Sequence, residues 1–197
     1  MAEVDSTDPP RYETPHGLKN NAEISDLIAE PLSKLVDDVQ AGAYADRRPD
    51  VDLIRDFHYA FLAAVVPDIA GRWRNRPVRV GNHIPPGHWH IDRLMREFFD
   101  DLQARVHYAR DDPDLQVEAL AFAEVKVLNI HPFDDFNGRA VRVFALELVR
   151  RFDLPVIRSW VELGTPQSSD YKGALVAFDL DGSVEPMKQF WLDNRFT

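Results

Sequence analysis

The segment "LQVEALAFAEVKVLNI", residues 115–130, is apolar almost all the way round. A helix with one face in water carries a polar stripe. A helix without one belongs in the centre of a bundle, wrapped by other helices. The rest of the chain supplies the wrapping. Ile24, Leu27, Ile28, Leu32, Leu35, Val36 and Val39 follow a helical period, with Pro31 set to kink the segment or open a second helix and Gly42 placed to stop it. After Pro49 and Asp50, the residues Leu53, Ile54, Phe57, Phe61, Ala64 and Val65 repeat the i, i+3, i+4 spacing as far as Pro67. Ile91, Leu94, Met95, Phe98 and Leu102 mark a further helix. Val143, Phe144, Leu146, Leu148 and Val149 mark another, which ends near Phe152 because Asp153-Leu154-Pro155 does not continue it. A cap at Ser168 or Ser169 opens "DYKGALVAF", and a turn at "DLDGS" leads into "VEPMKQFWLDNRF". The pattern predicts roughly six to eight helices in a mainly α bundle.

Two stretches break the helical period. Residues 1–20 are rich in Pro, Asp and Glu without an apolar repeat, which predicts a loose, flexible N-terminal arm ahead of a single helical domain over 21–197. Residues 71–87, "GRWRNRPVRVGNHIPPG", hold short β-branched pieces, turn residues and a closing Pro-Pro, which predicts a small β-hairpin with a partly unpaired edge. The arginines at 72, 74, 76 and 79 read as a solvated face of that excursion. His88 and His90 stand two apart, half of a metal site on a strand, but no further ligands accompany them and they read as structure at the base of the hairpin. Trp160, Trp191 and Tyr171 read as core or half-buried residues.

Composition removes several function classes. A net charge of −10 argues against a nucleic-acid protein relying on a broad basic surface. The absence of cysteine excludes disulfides and thiolate metal sites. The first residues, "MAEVDSTDPPRYETP", have no apolar core of a signal peptide, and no run approaches the ~18 apolar residues of a membrane span. The expectation is a soluble, cytoplasmic protein without a membrane partner, with delivery as an effector left open.

The chemistry concentrates in "HPFDDFNGRAVR", residues 131–142, between two apolar helices. The second helix offers unpaired N–H groups and a positive dipole end, a natural anion site. Asn137-Gly138 lets the backbone turn sharply and approach a ligand closely. Arg139 and Arg142 share a face of the first turn, where guanidinium groups can grip phosphate and where, without an anion, they oppose the dipole. Asp135 is a hard oxygen ligand suited to Mg²⁺, or else a helix cap. His131 can serve as a general base, or else as an ordinary loop histidine. Phe133 is most simply an anchor that fixes the loop in the core. Together these groups suit transfer from a nucleotide phosphate to a nucleophile.

The loop resembles the motif of the Fic (Fic/Doc) family, His-x-Phe-x-Asp/Glu-Gly-Asn-Gly-Arg-x-x-Arg. His131, Phe133, Asp135, Asn137, Gly138, Arg139 and Arg142 match it in order, and "VRVGNHIPP" resembles the family's flap. The likeness runs from about residue 50 to 192. It implies a Fic-type helical bundle with a small β-hairpin flap, and a protein adenylyltransferase that moves AMP from ATP to a Ser, Thr or Tyr hydroxyl of a target protein. On that likeness His131 takes the hydroxyl proton and Asp135 holds Mg²⁺ between the α- and β-phosphates. Backbone N–H groups of Phe136, Asn137 and Gly138 line the anion hole. Arg139 and Arg142 hold the leaving phosphates. Val78, Arg79, Val80 and Gly81 of the flap pin the target backbone by β-augmentation, and Tyr171 lies near the nucleotide base. UMP transfer, phosphoryl transfer, removal of AMP and a non-catalytic binding module are the alternatives.

Phe136 departs from the motif by replacing its first Gly. It keeps a backbone N–H for the anion hole but resists φ > 0 and adds a ring beside the phosphates. The Doc branch, similar to kinases in activity, also lacks that Gly but replaces the second Gly by Lys, whereas Gly138 is kept here. The inhibitory string Ser/Thr-x-x-x-Glu-Gly/Asn of many family members is not found in the chain. "SDLIAEPL" comes nearest, with its Glu one residue too late, so a separate antitoxin-like inhibitor or an unrestrained enzyme is implied.

Overall fold

The computed structural model describes residues 11–155 and 165–196. Among them are a two-stranded antiparallel hairpin, β1 (Arg11–Thr14) and β2 (Gly17–Asn20), and eight α-helices. The helices are α1 (Asn21–Leu27), α2 (Ala29–Gln40), α3 (Val51–Leu62), α4 (Ile91–Tyr108), α5 (Pro113–Ile130), α6 (Asn137–Arg151), α7 (Pro166–Asp181) and α8 (Glu185–Asn194). The fold is the expected mainly α bundle with a small hairpin. No helix among the described residues is long and apolar enough to cross a membrane.

The all-round apolar segment is the centre of the bundle. α5 starts at Pro113 under a side-chain cap from Asp112, and it packs against α4, α6, α7 and α8. α6 lies beside it and is covered on its other side by α2 and α3. Ala119, Leu120, Ala121, Ala123, Val125 and Val127 of α5 are fully buried together with Val141, Val143, Phe144 and Leu148 of α6. Because the two central helices follow one another in sequence, the loop joining them is held at both ends by the most buried part of the molecule.

Four local expectations are corrected. Residues 11–20, read as part of a loose arm, form the hairpin instead. Tyr12 is buried, and Asn20 closes a reciprocal capping box with Glu23 at the start of α1. Residues 71–87, read as the hairpin, contain no strand. They make one bridge between Val80 and His83 around Gly81, at φ +60°, and a second between Trp73 and Phe133. Pro77, Pro85 and Pro86 remove the donors that a ladder would need there. His88 and His90 lie in a single 3₁₀ turn rather than on a strand. The last correction is at α7, whose cap is Thr165, its hydroxyl accepting from Ser168 N–H, with Pro166 as the first helical residue. Trp160 and residues 1–10 lie outside the described residues.

Candidate active site

The loop over residues 131–136 leaves α5 and enters α6 through two left-handed residues. His131, at φ +50° and ψ +63°, ends α5, and Phe136, at φ +59° and ψ +17°, precedes α6. Between them Phe133 is fully buried as the expected anchor, its ring stacked on His58 of α3 at 3.8 Å and 4°. Asn137 clamps the loop with its own amide. Its Oδ1 accepts from Phe133 N–H at 2.9 Å and its Nδ2 donates to the Phe133 carbonyl at 3.0 Å.

Two buried residues that sequence reasoning did not single out hold the loop from outside. His58 accepts the Gly71 N–H at Nδ1, so its Nε2 carries the proton and donates to the Asp135 carbonyl at 3.1 Å. Burial pushes His58 down to about 3, which keeps it neutral and preserves this tautomer. Arg74 is only 2% exposed, against its reading as part of a solvated face. Its Nε donates to the His131 carbonyl at 2.7 Å, Nη1 to the Arg76 carbonyl at 2.9 Å and Nη2 to the Pro86 carbonyl at 2.6 Å. One guanidinium fork thus staples the start and end of the flap to the C-terminus of α5. Helical period alone marks His58 only as one more residue on the inner face of α3, and nothing local separates Arg74 from its three neighbouring arginines.

The reactive groups lie at the mouth of this frame. His131 is pushed down to about 4, first by burial and then by the charge of Arg74, so its imidazole is neutral at physiological pH. The nearby Leu128 carbonyl and the Asp135 charge oppose part of that shift, and a neutral imidazole offers one ring nitrogen as a proton acceptor. Asp135 is half-buried. Its Oδ1 accepts from Phe136 N–H at 2.7 Å, so that N–H, expected to face an anion, is directed to the carboxylate instead. Arg76 takes Asp134 at 2.7 Å, which leaves Asp135 as the carboxylate facing the start of α6.

The start of α6 fits an anion. No side chain caps it, and a β-carbon at Gly138 would meet nothing within 4 Å. The Asn137 and Gly138 N–H groups have no hydrogen-bond partner among the described residues. Arg139 lies under the Phe136 ring, with Cζ 4.9 Å from its centroid. Its Nη1 is buried without a hydrogen bond among the described residues. Burial chiefly lowers the Arg139 pKa, the Asp135 charge opposes this, and the Arg142 charge adds a smaller repulsion. An anion between the two guanidinium groups would relieve that repulsion.

No cluster of three His, Asp or Glu among the described residues could hold a metal alone. A single carboxylate beside an anion site suits an ion such as Mg²⁺ that arrives with phosphates and water. The flap residues Val78, Arg79, Val80 and Gly81 are half-exposed to exposed, and no described main-chain group pairs with those of Val78 and Arg79. Tyr171 and Trp191, by contrast, are core. Both donate to the buried Glu124, at 2.7 and 2.8 Å, so Tyr171 is not placed against a nucleotide base.

A bundle whose two central helices are joined by such a loop is the architecture of Fic domains. BepC, a VirB-translocated effector of Bartonella tribocorum solved with bound AMPPNP, matches with a TM-score of 0.72 at 14% identity, over 96% of this chain and 94% of that one. The N-terminal Fic domain of a cell filamentation protein from Bartonella quintana, solved with bound ADP, matches at 0.66 and 18% identity, over 96% and 92%. A sequence model of the Fic/DOC family matches residues 48–149. Protein adenylyltransferase Fic of Drosophila melanogaster is 33% identical over 140 residues, 71% of this chain and 27% of that protein. Its namesake in Nematostella vectensis is 31% identical over 109 residues, 54% of this chain and 24% of that protein. The chain belongs to the Fic/DOC family. It spans about a quarter of the length of these curated relatives.

Proposed function

We propose that this chain is a protein adenylyltransferase, moving AMP from ATP to a Ser, Thr or Tyr hydroxyl of a target protein. The observation that carries the reading is the convergence at one loop of a neutral His131, the Asp135 carboxylate and a helix start without a side-chain cap, where one Arg139 nitrogen has no partner among the described residues. The relatives named protein adenylyltransferase Fic support the reaction class. In this reading His131 receives the proton of the target hydroxyl as its oxygen attacks the α-phosphorus, and the bond to the leaving pyrophosphate breaks. The Asn137 and Gly138 N–H groups and Arg139 stabilise the charge that develops on the phosphates. Arg142 holds the far end of the leaving group. Mg²⁺, held by Asp135, would supply further neutralisation of phosphate charge. The main chain at Val78 and Arg79, unpaired among the described residues, would give a target segment an edge to add to. A separate antitoxin-like inhibitor chain is a second partner open to this reading, the alternative being an enzyme without that restraint.

Labelled ATP tests the reaction. Incubation with Mg²⁺ and a lysate should place label on protein from α-labelled but not γ-labelled ATP. His131→Ala, folded, should lower that transfer by roughly 10²–10⁴-fold. Label from the γ position alone would mean a kinase. Label only from another nucleotide would mean another donor. No label with nucleotide still bound would mean a binding module.

A further inference from the structure

The stretch matched by the family model begins at residue 48, yet three contacts from residues 11–25 reach the reactive groups. Tyr12 Oη donates to Asp135 Oδ2 at 3.1 Å and Asn21 Nδ2 donates to the same oxygen at 2.8 Å. Ser25 Oγ accepts from Arg139 Nη2 at 2.7 Å and donates to the Asn21 carbonyl at 2.7 Å. Asn21 and Ser25 are four apart on α1, so one face of that helix touches both the carboxylate and the guanidinium.

From this geometry we infer that the hairpin and α1 are part of the active site, with Tyr12 and Asn21 positioning Asp135 for a divalent cation and Ser25 positioning Arg139 for phosphate. The inference rests on the adenylyl-transfer reading and deepens it.

The donor chemistry favours this role over simple anchoring. A carboxylate has about four lone-pair sites. Tyr12, Asn21 and Phe136 occupy three, leaving one on Oδ1, so the group is turned to offer a single point of contact. Tyr12 and Asn21 are neutral, so they orient Asp135 without cancelling the charge a cation needs, whereas a lysine or arginine in their place would cancel it. At Arg139 the Ser25 hydroxyl fixes one terminal nitrogen and leaves Nη1 without a partner among the described residues. The platform is itself rigid: Ile24 and Ile28 are fully buried, and the Asn20–Glu23 capping box fixes the start of α1.

Binding of AMPPNP to the full chain, measured by calorimetry with Mg²⁺ and again with EDTA, tests the inference apart from catalysis. The parent should bind more tightly with Mg²⁺. Tyr12→Phe, which keeps the buried ring, and Asn21→Ala should each lower that metal-dependent gain by roughly 10–100-fold, the usual effect of losing a residue that orients a metal ligand. Affinity in EDTA should stay unchanged, and thermal melts should confirm folding. Ser25→Ala should weaken binding with and without metal. In an Asp135→Ala background, Asn21→Ala should add no further loss. An unchanged metal-dependent gain in both Tyr12→Phe and Asn21→Ala would overturn the inference. So would tighter binding in either variant, which would make the segment a lid over the site. A parent that binds no Mg-AMPPNP would overturn the adenylyl-transfer reading and this inference with it.

Discussion

Phe136 adopts the backbone conformation its side chain disfavours. A β-carbon at φ +59° costs about 1–2 kcal/mol. The ring offsets this by being buried, a contribution of about 1.5–3 kcal/mol, and by covering Arg139. The two effects can be separated. Phe136→Ala loses the ring and keeps the strain, while Phe136→Gly loses both. The Gly variant should therefore be the more stable of the two by about 1 kcal/mol, less than the full strain because glycine gains freedom in the unfolded chain. Denaturation midpoints in the reverse order would show that the backbone is not strained at this position. On the proposed adenylyl-transfer reading, Phe136→Gly should also keep or raise AMP transfer, since the Asn137 and Gly138 N–H groups stay in place. A loss of native activity with a shift in donor preference would mean that the ring selects the nucleotide.

The two low histidine pKa values have a sign that can be checked. His58 and His131 titrate near 3 and 4 in the folded chain, against about 6.5 when unfolded. Between these values the unfolded chain binds more protons, so stability is full above about pH 6.5 and falls as pH drops toward 4 and below. Thermal midpoints should decline over that window, and His58→Gln should flatten the decline. A histidine resonance titrating near pH 4 that disappears in His131→Ala would assign the second group.

At the scale of elements, the flap is tied down by side chains rather than by a ladder. Arg74 serves four carbonyls from two segments, and the ring nitrogens of His83 lie 2.8 Å from the Asn129 carbonyl on α5 and 2.9 Å from Asp179 on α7. Lysine cannot reproduce the planar fork of Arg74. Arg74→Lys should leave buried carbonyls unpaired and cost about 1–3 kcal/mol. Hydrogen exchange should quicken across residues 72–90 and the loop over 130–136 together, because one group joins them. Acceleration confined to the flap would mean that the loop is held without Arg74. Sequence patterning fails at this scale for identifiable reasons. Strands as short as "RYET" and "GLKN" show no usable alternation, and their register depends on where Tyr12 is buried. The β-branched residues of the flap suggest a hairpin, but the prolines beside them exclude a ladder. Thr165 and Ser168 are both credible caps, and the signal that separates them is Pro166, suited to the first helical position.

At the scale of the whole molecule, the C-terminal helices are joined to the central one through a buried charge. Glu124 on α5 is 1% exposed and takes hydrogen bonds from Tyr171 on α7, Trp191 on α8 and Arg195 just beyond it. Glu124→Ala would leave Arg195 buried without its counter-charge and should cost about 3–5 kcal/mol. The urea midpoint should show it, and a loss below about 1 kcal/mol would mean that water reaches the site and replaces the carboxylate. The central place of α5, the span of the flanking helices and the identity of the 131–142 loop could all be read in the chain, because helical period and motif spacing are local properties. Asn137 and Phe133 were legible as loop residues, while the amide clamp between them was not. Tyr12, Asn21, Ser25, His58 and Arg74 became visible only in the folded molecule. They meet the loop from between 57 and 123 residues away, and no local pattern encodes which distant donor will satisfy a given carbonyl or carboxylate. A loop with two left-handed residues and a half-buried carboxylate cannot satisfy its own polar groups, so the packing of the other elements determines which partners complete it.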